Sequence, residues 1–89
     1  MAGEITQLDR LPAYEVSISG HYNPSQVVHL KRDFDNLIRA RNIVGQVRFK
    51  GNRGKKDSLV IRADVRMCDL LPIVDRHSSK TLHLKLSDH

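Results

Sequence analysis

Apolar and polar residues alternate with period two in four stretches of this chain, and two further stretches carry apolar residues at helical spacing. Tyr14, Val16 and Ile18 alternate with Glu15, Ser17 and Ser19, which predicts a half-buried strand closed by Gly20. Ile43, Gly45, Val47 and Phe49 make a second inward row with Gln46, Arg48 and Lys50 outward. Leu59, Ile61, Ala63 and Val65 make a third, opposed by Val60, Arg62, Asp64 and Arg66, so that these two strands read as a hairpin. Thr81 to Ser87 is the fourth, with Leu82, Leu84 and Leu86 inward and His83 and Lys85 outward.

Between the first two strands, Asn23-Pro-Ser-Gln26 reads as a helix start: Asn23 at the N-cap, Pro24 in the first helical position, Gln26 reaching back. Val27, Leu30, Phe34, Leu37 and Ile38 then fall on one helical face. Asn42 is suited to the left-handed conformation that ends such a helix. Met67 to His77 predicts a second helix. Pro72 interrupts it unless Asp69 is the N-cap, which would bring the proline into the tolerated first turn. Ile5 to Leu11 can form one or two helical turns before Pro12, leaving residues 1–12 as an N-terminal arm or short helix. The predicted order is strand, helix, strand, strand, helix, strand. This is the ferredoxin-like βαββαβ arrangement, an α+β fold with a four-stranded antiparallel sheet and both helices on one face.

Eighty-nine residues make one domain, 1–89, and folding would bury roughly 60–65% of the unfolded chain's surface. With 39% hydrophobic residues and no tryptophan, the core is aliphatic and small. A homodimer that buries further apolar area is therefore an alternative to a monomer. Cys68 is the single cysteine, so no intrachain disulfide forms, and its neighbours Met67 and Leu70 place it in the core. No signal peptide and no apolar run long enough to span a bilayer is visible, which makes the cytoplasm, or the interior of a host cell, the expected setting and a membrane partner unexpected.

Charge changes this picture most. The chain carries +5, but His29 to Arg66 holds eleven Lys and Arg against Asp33, Asp35, Asp57 and Asp64. Five of those cations, Arg48, Lys50, Arg53, Lys55 and Lys56, lie in the glycine-punctuated hairpin loop 48–56. Gly51 and Gly54 free its backbone to follow a partner's contour. Cations concentrated in this way suit a phosphate backbone, where each can neutralise a phosphate and release counterions. A lysine-rich hairpin tip also serves solubility and blocks edge pairing. The expected outer sheet face adds Arg62 to the candidate contacts, beside Glu15, Ser17, Ser19, Gln46, Val60, Asp64, His83 and Lys85. It has no aromatic residue to stack on bases, since Phe49 has the other parity, and this excludes the RNA-recognition motif.

Gly20 and Gly45-Gln-Val-Arg48 resemble acylphosphatase, which shares the strand order. The loop Gly20-His-Tyr-Asn-Pro24 lacks that family's arginine, and Phe49 stands where its catalytic asparagine belongs, so the phosphate-binding and water-positioning parts are missing. Leu8 to Pro12, Gly20, Lys50-Gly51 and Ser58-Leu-Val-Ile61 are similar in layout to the YbeD-type family of small bacterial ferredoxin-like proteins. Here Lys56-Asp57 replaces that family's aromatic before the serine. That resemblance implies a regulatory or RNA-associated adaptor and not an enzyme.

The five histidines show no His-x-x-x-His spacing and pair with no carboxylate or with Cys68 in a ligand pattern, so no metal or cofactor is expected. His21 precedes a helix N-terminus, a position that favours anions. Asp33 and Asp35 point to different helix faces and do not form a carboxylate pair. The residues thus point to a non-enzymatic nucleic-acid binder, RNA favoured over DNA, contacting phosphates through Arg48, Lys50, Arg53, Lys55, Lys56 and Arg62. The alternative is a regulatory or adaptor module that meets a protein partner, or a second copy of itself, through its sheet.

Overall fold

A computed structural model describes residues 10–51 and 57–89. It contains β1 (Ala13–Gly20), α1 (Pro24–Ala40), β2 (Gly45–Lys50), β3 (Asp57–Ala63), α2 (Met67–His77) and β4 (Leu82–Asp88). The strands form one antiparallel sheet in the order β2-β3-β1-β4. This is the ferredoxin-like arrangement that the alternation predicts. The turns expected over Ile5 to Leu11 lie, save for their last two residues, outside the described residues.

Apolar residues of both helices and all four strands meet in one core. Val16 and Ile18 of β1, Leu59 and Ile61 of β3, Leu30 and Phe34 of α1 and Leu70 of α2 are almost completely buried. Each such side chain contributes about 1.5–3 kcal/mol by leaving water. The phenol of Tyr14 is buried as well, and its hydroxyl donates to the Val65 carbonyl at 2.8 Å, so no polar atom is stranded.

Local chemistry sets the ends of α1. Gln26 Oε1 accepts the Asn23 amide at 2.8 Å, and Pro24 occupies the first helical position. At the other end Asn42 adopts φ 53°, its amide bonds Arg39 O and the Ile43 amide bonds Ile38 O, the paired bonds of a Schellman stop. Gly20 has φ +103°, and a Cβ there would lie 2.3 Å from Thr81 O, so only glycine lets β1 end beside the start of β4.

Helix α2 spans the predicted Met67–His77, and two other expectations, on Cys68 and Asp64, need correction. Helix α2 begins at Met67 with Arg66 as N-cap, and Asp69 acts from the third helical position, its carboxylate accepting the Arg66 amide at 2.8 Å. Pro72 therefore sits inside the helix, where the bond it forgoes would have ended on Cys68, within the first turn. Cys68 is exposed, not core, because α2 turns Leu70, Ile73 and Val74 to the sheet and leaves position 68 on the far side. Asp64 lies beyond the end of β3 and is not part of the sheet face.

Candidate nucleic-acid interface

Strand register brings the predicted cations together. On the outer face Arg48 of β2 stands opposite Val60 of β3, Gln46 opposite Arg62, and Lys50 opposite Ser58. Across β3, Val60 faces Glu15 and Ser58 faces Ser17 on β1, which in turn face Ser87 and Lys85 on β4. Arg48 and Lys50 are thus two residues apart on one strand, about 7 Å, a separation comparable with that of adjacent phosphates along a nucleotide strand. Arg62 lies diagonally from Arg48 on the neighbouring strand, within about 7–8 Å. Gln46, Arg48, Lys50, Val60, Arg62 and His89 line a shallow depression of about 360 Å³, to which Phe49 also contributes.

The electrostatics of the two faces differ. The ion pairs that join lysine or arginine to aspartate among the described residues all involve the helices: Lys31–Asp35 at 3.1 Å, Arg41–Asp69 at 3.0 Å and Arg76–Asp33 at 3.8 Å. His77 also reaches Asp33, at 2.6 Å, tying α2 to α1. Asp69 is held below the ordinary carboxylate range, first by the bond from Arg41 and then by the Arg66 amide. On the sheet face Arg48, Lys50, Arg62 and Lys85 have no carboxylate within ion-pair distance among the described residues. The one acid there, Glu15, is engaged by His89 at 3.1 Å. Four cations without partners on one face form a surface that attracts polyanions.

Arg48, Lys50 and Arg62 therefore converge as predicted. Arg53, Lys55 and Lys56 lie outside the described residues. Lys85 belongs to the same face from the far edge, where its outward parity in β4 was the available signal. Among the described residues no group of three histidine, cysteine, aspartate or glutamate side chains could hold a metal ion.

Sequence periodicity missed the environment of Phe49. Its parity points toward the helices as expected, yet it is 52% exposed. β2 is an edge strand, and the groove between Phe49 and the first turns of α1 is left open. Together with Tyr22, Pro24, Val27 and Val28 it lines an almost wholly apolar groove of about 360 Å³, which Lys31 and Asp57 also border. The Tyr22 hydroxyl donates to Asp57 Oδ2 at 2.5 Å. That bond, with some burial and the charge of Asp57, raises the Tyr22 phenol above its ordinary value.

Fold and surface together define a small ferredoxin-like domain with a cationic outer sheet. No protein-family model matches the sequence, and no curated protein sequence is significantly similar. Among solved structures the chain is similar to the hypothetical protein ORF119 from Sulfolobus islandicus rod-shaped virus 1, with TM-score 0.54 and 12% identity over 97% of this chain and 78% of that one. That is a likeness of fold. A dimeric ferredoxin-like protein from an uncultured marine organism is more distant, with TM-score 0.40 and 9% identity over 96% of this chain and 93% of that one. Among the described residues no helix is long and apolar enough to cross a membrane.

Proposed function

We propose that this protein is a non-enzymatic nucleic-acid binder, RNA favoured, whose outer sheet face contacts phosphates. The observation that carries this reading is the distribution of charge: on the helix side Lys31, Arg41 and Arg76 pair with aspartates, leaving Arg32 and Arg39 of α1 unpaired among the described residues, while on the sheet Arg48, Lys50, Arg62 and Lys85 share one face with a single acid and pair with none. Folding alone gives no reason to gather like charges on adjacent strands, since opposed or diagonal cations weaken a sheet. A phosphate backbone supplies the compensating charge. Arg53, Lys55 and Lys56, which follow β2 in the sequence, are further candidates for phosphate contact.

Titration of the wild type with single- and double-stranded RNA and DNA at two salt concentrations tests this reading. Affinity should fall linearly in log–log terms with salt, and Arg48→Ser, Lys50→Ser and Arg62→Ser combined should reduce the slope by roughly three phosphate contacts. Melting temperature should change little, because none of these side chains, exposed at Arg48 and Lys50 and half-buried at Arg62, has an ion-pair partner among the described residues to lose. A wild type that binds no nucleic acid, or a variant with unchanged slope, sinks the reading. The sheet would then belong to an adaptor surface that meets protein, with a concentration-dependent mass if the partner is a second copy.

A further inference from the structure

The basic depression on the outer sheet face and the apolar groove on the helix side meet at one side chain, Phe49, which lines both. From the groove side Val28 is 55% exposed, and Tyr22 and Pro24 complete an apolar wall. Leaving such a patch in water sacrifices the gain that drives the rest of the core together, and contiguous exposed apolar surface marks interaction sites. Its volume lies at the small end of ligand-sized clefts. Cations stand one residue to either side of Phe49 on the same strand, at Arg48 and Lys50.

An aromatic ring and an apolar slot on one side of a strand edge, with cations on the other, match the two halves of a nucleotide. We infer that β2 is the edge over which a single-stranded nucleic acid passes, its phosphates on Arg48 and Lys50 and one base stacked on Phe49 in the groove beside Val28 and Tyr22. The inference rests on the phosphate-binding reading of the sheet face and adds the ligand class. Bases of a duplex are paired and stacked inside the helix and cannot turn around a sheet edge into such a slot, whereas those of a single strand can.

Two details support it. A Cβ at Gly51 would lie 2.7 Å from the Phe49 ring, so glycine there leaves the ring its place. The Tyr22 hydroxyl, the Asp57 carboxylate and the Lys31 ammonium offer donors and acceptors to the polar edge of a base, while the groove between them is apolar.

The chain has no tryptophan, so Phe49→Trp places its sole indole at the proposed stacking point. Emission of this variant should be quenched to saturation by a single-stranded oligonucleotide and left unchanged by the duplex of the same sequence. Phe49→Leu keeps an apolar side chain but no ring. It should weaken single-strand binding by about tenfold, with duplex affinity and salt slope unaltered. Wild-type affinity of Phe49→Leu for single strands, equal losses on both ligands, or an unquenched indole at saturation overturns the inference. Where the sheet-face serine variant loses binding and Phe49→Leu does not, phosphate binding stands and base insertion falls. If the wild type binds no nucleic acid, both fall. A blue-shifted indole whose emission depends on protein concentration alone would assign the groove to a second copy and likewise overturn base insertion.

Discussion

Phe34 and Phe49 are the chain's two phenylalanines, and their surroundings are opposite: the first is 1% exposed and the second 52%. Both follow the apolar period of their element. Phe34 lies midway along α1, between the sheet and the neighbouring helix, so Phe34→Ala leaves a cavity that little can collapse to fill. It should cost about 3–5 kcal/mol, read as a lower denaturant midpoint. Periodicity made the orientation of both rings legible, but it could not reveal whether the surface they point to is covered. That depends on how closely the first turns of α1 pack on an edge strand, which no single segment encodes. Asp69 shows a second limit of the same kind. Its position near the start of α2 was visible, but the guanidinium of Arg41 that meets it comes from a residue twenty-eight positions away. Because that partner and the Arg66 amide lower its proton affinity in the fold, Asp69 adds stability that is fully present above the ordinary carboxyl value of about 3.9 and disappears as pH falls through the lower folded value. Asp69→Asn should therefore be less stable than wild type at neutral pH and show a shallower loss on acidification, measured by thermal melts across the acid range.

At the scale of elements, four strands, two helices and their order were legible because each segment's period agrees with its end signals. Pro24 with Gln26, and Asn42, mark the ends of α1 by chemistry that does not depend on the rest of the fold. The span of α2 was legible too, but the role of Asp69 was not, because an aspartate near a helix start can serve either as the cap or from the third helical position, and here it does the latter. Strand pairing, by contrast, involves distances that no single segment encodes. Gly45 of β2 faces Ala63 of β3, and a Cβ at Gly45 would lie 2.6 Å from the Ala63 Cβ and 3.0 Å from Arg62 O. Neither neighbour is a flexible side-chain tip that can swing aside. Gly45→Ala should force the edge strand away from β3 and cost about 1–3 kcal/mol. Amide exchange in β2 should accelerate more than in β1, which is held by strands on both sides. A variant as stable and as protected as wild type would show that the edge shifts without loss.

The whole molecule places its charge unevenly. A net charge of +5 by itself attracts any polyanion from a distance, whichever face it approaches. A contact surface differs from that general attraction because only cations that touch phosphates release counterions. The sequence located the basic middle of the chain but could not separate its helix-side from its sheet-side members, since Lys31, Arg32, Arg39 and Arg41 on or beside α1 are as close in sequence as Arg48, Lys50 and Arg62 on the sheet. The two groups face opposite sides of the fold, which allows a charge-matched comparison. Arg48→Ser with Arg62→Ser removes two charges from the sheet face, and Arg32→Ser with Arg39→Ser removes two exposed charges from the helix side. Both double variants have the same net charge, so long-range attraction falls equally in each. If the sheet face is the contact surface, the first should lose about two units of salt slope, and the second should keep the wild-type slope with only a small drop in affinity at low salt. Equal slopes in the two variants would mean that nucleic acid responds to net charge alone and that the sheet face has no contact of its own.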